Sequence, residues 1–151
     1  MNNKGTLGRI ENLFSALADQ TRLRLLNLMR EDEVCVCFFS EVLEESQPKI
    51  SRHLAYLRKH KIVTARRDGK WMHYRISSQQ DKAAGEILEN TLNWLAEQTE
   101  MQEEYEKLAR ICCVEDVPIT IAKAPKPETF AEIEIALPET ENREELETFL
   151  L

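Results

Sequence analysis

Residues 43–60 read Leu43-Glu44-Glu45-Ser46-Gln47-Pro48-Lys49-Ile50-Ser51-Arg52-His53-Leu54-Ala55-Tyr56-Leu57-Arg58-Lys59-His60, and this stretch decides the fold. Ser46 is an N-cap, because its hydroxyl can accept from the open amides of a first helical turn. Pro48 falls in that turn, where a missing N–H costs little. Ile50, Leu54 and Leu57 recur at helical spacing and make one apolar stripe. The other side carries Lys49, Ser51, Arg52, Tyr56 and Lys59. A short helix over about residues 38–43 completes a helix-turn-helix, whose second helix can enter a DNA major groove.

Charge supports the same reading once it is divided along the chain. The 151 residues carry a net charge of −7, which alone argues against nucleic acid. From Glu45 to Ile76, however, nine Lys and Arg face two Asp and Glu, leaving +7. From Glu115 to Leu151 three basic residues face ten acidic ones, leaving −7. Phosphate binding responds to the local field rather than to the total. The alternative for the basic block is a solvated face with no partner.

Outward from the block, residues 7–17 (Ile10, Leu13, Phe14, Leu17) read as a first amphipathic helix. Asp19 caps a second over residues 20–29, with Leu23, Leu25, Leu26 and Leu28 on a broad apolar side and Arg22 and Arg24 projecting elsewhere. Beyond the block, residues 62–67 and 70–76 alternate as two strands, and Asp68-Gly69 is a hairpin turn signal. This is a β-wing whose tip residues Arg66, Arg67 and Lys70 can lie along a sugar-phosphate backbone. Residues 79–109 read as one long helix weakened only by Gly85. That length exceeds what a small winged-helix core needs, so the excess predicts a dimer interface. The fold expectation is a mainly α winged helix-turn-helix with a β-hairpin wing. Residues 1–114 form the DNA-binding and dimerisation domain, and 115–151 an acidic tail. In the tail, residues 119–121 and 130–137 alternate like strands and 138–151 can end in a short helix. The tail has no assignable job.

Four cysteines remain. On a regular helix Cys35 and Cys37 point about 200° apart. In extended or distorted backbone they share a side and can share a ligand. Such a ligand sits just before the helix-turn-helix, where reshaping the backbone alters how the second helix docks. The alternative is two small buried thiols. Cys112-Cys113 is a second soft pair. Thiolates select thiophilic ions, and a trivalent metalloid held by three sulfurs suits this set. One joint site, two sites, or a site shared between subunits all satisfy the spacing.

Four segments then match a known pattern in order: residues 17–26 (Leu17-Ala18-Asp19-Gln20-Thr21-Arg22-Leu23-Arg24-Leu25-Leu26), Val34-Cys35-Val36-Cys37, Ser46 to Leu54, and Gly69 to Arg75. Over roughly residues 7–110 the chain resembles the ArsR/SmtB family of metal-responsive repressors, most closely its arsenic-responsive branch. The resemblance implies a winged-helix homodimer, joined through its first and last helices, that leaves operator DNA when a toxic ion binds. Arsenic sensors of that branch often place a third cysteine three residues beyond Cys-x-Cys. Here Ser40 stands there, so Cys112 or Cys113 becomes the candidate replacement. The long acidic tail is a second departure. The zinc-sensing branch uses histidine on the last helix, and here the only histidines are His53, His60 and His73, all in the helix-turn-helix and wing.

The expected function is therefore a repressor released when As(III), Sb(III) or a methylated trivalent arsenical binds Cys35, Cys37, Cys112 and Cys113, with no permanent cofactor. Gln47, Lys49, Ser51, Arg52 and Tyr56 would meet bases, and Arg66, Arg67 and Lys70 phosphate. The alternatives are a cadmium- or lead-responsive repressor and a thiol-redox repressor of the same fold. No His–carboxylate pair, glycine-rich phosphate loop or nucleophile motif points to an enzyme. No run is long and apolar enough to span a membrane and no secretory signal is evident, so the expected location is cytoplasmic.

Overall fold

The computed structural model describes residues 5–113 and 124–129. The elements among them run in the order α1 (Thr6–Leu17), α2 (Gln20–Leu28), β1 (Val34–Cys35), α3 (Val36–Leu43), α4 (Gln47–Lys59), β2 (Val63–Asp68), β3 (Trp71–Ile76), α5 (Lys82–Glu97) and α6 (Thr99–Cys113). This is the winged helix-turn-helix that the pattern predicts.

The caps form as their residue types dictate. Asp19 accepts from the Arg22 amide at 3.0 Å and opens α2. Ser46 accepts from the Lys49 amide at 3.4 Å and opens α4, and Asp81 accepts from the Ala84 amide at 3.0 Å and opens α5. Ile50, Leu54 and Leu57 of α4 are fully buried. The helix ends in a Schellman turn: Lys61 N–H donates to Arg58 O at 3.0 Å and Ile62 N–H to Leu57 O at 2.9 Å. Lys61 holds the left-handed conformation this turn needs (φ +59°). Buried Ile62 and Leu57 supply its apolar pair.

The wing differs from expectation at its tip and its edge. Asp68 is the last residue of β2 and pairs with Trp71, so the two loop residues are Gly69 and Lys70 rather than Asp68-Gly69. Gly69 takes φ +59° and Lys70 does not share it. That is the II′ pattern, in which glycine leads the turn. A third strand joins the hairpin, giving the order β1-β3-β2. Two residues are too few to show any alternation, so β1 is invisible in the sequence.

The long helix expected over residues 79–109 is two helices, broken at Gln98 (φ −78°, ψ 133°). Leu95 and Met101 are both buried. Six residues apart, they would stand about 120° from each other on one straight helix. The break lets α5 bury Ala84, Leu88 and Leu95 while α6 buries Met101, Leu108 and Cys112. The length assigned to a dimer interface is thus partly used within the subunit, since α6 packs on α2 and α3. Asn27 Nδ2 donates to Met101 O at 2.9 Å, and Arg24 meets Glu104 at 2.6 Å. The strands expected at 119–121 and 130–137 and the helix at 138–151 lie outside the described residues.

Candidate sulfur site and nucleic-acid interface

Cys35 is the last residue of β1 and the N-cap of α3, with extended backbone (φ −68°, ψ 139°). Cys37 lies in the first turn of α3. Because the backbone changes from extended to helical between them, the two sulfurs converge to 3.3 Å. The strand-to-helix junction supplies the non-helical backbone that the spacing requires. Both residues are buried, at 0% and 4% exposure.

Contact between the sulfurs splits their acidities. A hydrogen bond from Cys37 lowers Cys35 from 9.0 to about 7, against the opposing effect of burial. Accepted by Cys35 and buried beside it, Cys37 is pushed far up. One proton is therefore shared, and near neutral pH one thiolate is ready for a soft ion.

Among the described residues a third donor is not in place: no three His, Cys, Asp or Glu side chains there are arranged to hold a metal ion. Cys112 is fully buried within the core on α6. The side chain of Cys113 lies outside the described set. Ser40, one turn beyond Cys37 on α3, has a buried hydroxyl oxygen with no hydrogen-bond partner.

The site is tied to both α4 and the wing. Through β1, Cys35 pairs with His73 and Val34 with Tyr74 of β3, so the sulfur-bearing residue is part of the wing sheet. Glu33, just before β1, holds Arg66 of β2 at 2.6 Å and lies 3.7 Å from His73 Nδ1. His73 is buried and its Nε2 has no partner. Through α3, the site leads into the turn before α4. There Glu44 is left-handed (φ 53°), and Lys107 of α6 donates to Val42 O at 3.1 Å and lies 3.6 Å from Glu44.

On α4, Gln47, Ser51 and Arg52 are exposed, and Lys49 is half-buried with Glu45 at 2.8 Å. Tyr56 is half-buried, its ring 4.3 Å beneath the Arg22 guanidinium and 4.5 Å from the His60 ring. Its ring is thereby used in packing α4 onto α2. Arg66, Arg67 and Lys70 are exposed on the wing. Arg22, which the periodic pattern assigns no role, is a structural hub. It donates to Ala16 O at 2.8 Å and Ser15 O at 2.9 Å, covers Tyr56 and lies 3.5 Å from His53 Nδ1. It thus joins the end of α1 to α4. His53 also sits 3.7 Å from Asp19, in a structural position. A partner 31 residues away leaves no periodic signal for Arg22.

The model for "Bacterial regulatory protein, arsR family" matches residues 19–65. The arsenical resistance operon repressor of Escherichia coli (strain K12) is 44% identical over 105 residues, 69% of this chain and 88% of that protein. The arsenic resistance transcriptional regulator ArsR1 of Pseudomonas putida is 54% identical over 65 residues, 42% of this chain and 51% of that protein. Among solved structures, reduced HlyU from Vibrio cholerae N16961 is similar with a TM-score of 0.53 at 29% identity, covering 63% of this chain and 96% of that one.

Proposed function

The chain belongs to the ArsR family of bacterial regulatory proteins, which are DNA-binding transcription regulators rather than enzymes, and from that premise we propose that it is a repressor released from its operator by a trivalent metalloid captured at Cys35 and Cys37. The observation that carries this reading is the 3.3 Å separation of two buried sulfurs at the start of α3. Relatives named as an arsenical resistance operon repressor and an arsenic resistance transcriptional regulator support the ion class.

Two soft sulfurs brought together suit a thiophilic ion. Arsenite, As(OH)3, exchanges each hydroxyl for a sulfur, the hydroxyl leaving as water with the thiol's own proton or, where the sulfur is already a thiolate, with a proton from solvent. Cys112 or Cys113 of α6, or a thiol of a second subunit, supplies the third sulfur.

Capture must move the chain. The two sulfurs touch and are buried, and protein interiors are close-packed, so room for an added heavy atom and its third donor has to be made. The first turn of α3 gives way, or α6 is drawn across it. Either motion reaches α4 through the Glu44 turn and the wing through β1. An allosteric coupling of about 1–3 kcal/mol, or 5- to 150-fold, is the usual scale.

On DNA, Gln47, Lys49, Ser51 and Arg52 face bases and Arg66, Arg67 and Lys70 face phosphate, whereas Tyr56, expected at the bases, packs between Arg22 and His60. A symmetric operator needs a dimer. Leu7 and Phe14 of α1 and Trp94 of α5 expose 76%, 54% and 59% of their surface. They support pairing through α1 and α5, with residues 1–114 as the reading and sensing domain.

The test is arsenite titration of the protein on its own promoter DNA, read by fluorescence anisotropy. Release is expected in the wild type. Cys35→Ser and Cys37→Ser should bind DNA normally and fail to release. Sulfurs in contact also favour a second reading, release by thiol oxidation. Peroxide acting where anaerobic arsenite does not would select it.

A further inference from the structure

Residues 124–129 lie against the base of the wing. Ala124 and Pro127 are buried. Thr129 donates its N–H (3.0 Å) and its hydroxyl (3.4 Å) to Asp32 Oδ2. Asp32 Oδ1 in turn accepts the Glu33 amide at 2.7 Å, and Glu33 holds Arg66. Pro125 to Glu128 form one wall of an open groove of about 640 Å³, and Arg66, His73 and Arg75 stand in another. The Arg66 guanidinium is held above its ordinary range by Glu33 first, with Asp68 and Glu128 adding to the field.

Thr129 is therefore a fixed point beside the wing, and the chain beyond it is strongly acidic. Residues 130–151 hold Glu132, Glu134, Glu139, Glu141, Glu144, Glu145 and Glu147 against the single Arg143. The wing beside that point carries Arg66 and Arg75 on the face that lines the groove, Arg67 on its other face and Lys70 in its turn; among the described residues Arg66 alone is shown paired with a carboxylate, Glu33. Twenty-two residues span at most about 70 Å when extended, against ~20 Å for a six-residue strand. Every basic residue of the wing is within reach, and the tether keeps the carboxylates at high local concentration.

We propose that residues 130–151 are an internal competitor for DNA, their carboxylates occupying the basic side chains of the wing until phosphate displaces them. The acidic tail then sets the affinity floor of the protein. It removes weak, non-specific duplex binding while a well-matched operator outcompetes it. The arrangement resolves the opposition between a +7 reading block and a −7 tail in one chain. It needs neither the metalloid nor a particular operator, so it stands independently of the proposed inducer.

Displacement of the tail returns ions to the freed carboxylates, which lowers the net ion release on binding DNA. If the tail masks two phosphate contacts, the slope of log K against log salt is shallower by about 1.8. The experiment compares the full chain with a variant in which all seven tail glutamates are changed to glutamine, on a random-sequence duplex at 50 and 200 mM salt. The variant should bind about tenfold more tightly relative to wild type at the lower salt than at the higher, with a steeper slope. Equal slopes and affinities, or weaker binding by the variant, overturn the proposal. A DNA-free arm uses carbodiimide, which joins carboxylates to lysines. At low salt it should link Lys70 to tail glutamates, and the link should vanish at high salt. Absence of that crosslink at low salt also overturns the proposal.

Discussion

Ser40→Cys is the most informative single change. Ser40 lies one turn beyond Cys37 on α3, and its hydroxyl oxygen is buried without a partner. A buried polar group left unpaired costs about 1–3 kcal/mol, and cysteine behaves as a small hydrophobe in the same space. The substitution should therefore stabilise the apo protein by about 1 kcal/mol, or raise Tm by roughly 4 °C. It also places a third thiol three residues from Cys37, where Cβ atoms are about 5–6 Å apart. A third sulfur on the same helix turn removes the need to recruit one from α6 or a partner. Arsenite should then release DNA at a concentration at least about tenfold lower, equivalent to ~1.4 kcal/mol. Thermal unfolding reads the first effect and operator anisotropy under arsenite titration the second. A lower Tm would refute the account of the orphaned hydroxyl. A higher Tm with an unchanged arsenite midpoint would refute the placement of the metalloid at Cys35 and Cys37.

Other consequences rest on single contacts. Lys61 is left-handed in the Schellman turn, so Lys61→Gly should raise stability by about 1 kcal/mol in denaturant unfolding. Asn27 is fully buried, donates to Met101 O and accepts from Arg30 at 2.6 Å; Asn27→Ala should cost about 1–3 kcal/mol by the same assay. Cys35 is lowered below its ordinary 9.0, so its stabilising contribution is present above pH 9 and lost as pH falls through about 7. Cys37 is raised, so its contribution is present below pH 9 and lost above it. Apo stability should thus rise from pH 6 to 9 by on the order of 1 kcal/mol and then fall, and Cys35→Ser should flatten the profile. Ultraviolet thiolate absorbance should show one ionisation of the pair near pH 7. Arg66→Ala should reduce the salt slope of duplex binding by about 1 without altering base preference.

The reading helix, its Ser46 cap, the wing and the overall fold class were legible because each rests on local chemistry: a hydroxyl before a proline-led turn, leucines at helical spacing, alternating strands around glycine. The break at Gln98 was legible in principle, since Leu95 and Met101 cannot share one straight stripe, but no glycine or proline marks it. The features that sequence alone could not provide depend on distant partners. Arg22 meets His53, Lys107 meets Val42, and Glu33 meets Arg66, each pairing more than 30 residues apart. The convergence of Cys35 and Cys37 was legible only as a condition, because it depends on a two-residue strand that exists solely through pairing with β3. That pairing makes the sulfur pair part of the wing sheet as well as the entrance to the helix-turn-helix.

On the proposed mechanism, an ion inserted between two touching sulfurs forces the first turn of α3 to move and carries α4 with it. Hydrogen exchange of backbone amides in Val36–Leu43 and Gln47–Lys59, measured with and without saturating arsenite, reads that motion. Faster exchange in the first turn of α3 and altered exchange at the start of α4, both absent in Cys35→Ser, is the predicted result. Unchanged exchange across both helices at full arsenite occupancy would contradict it.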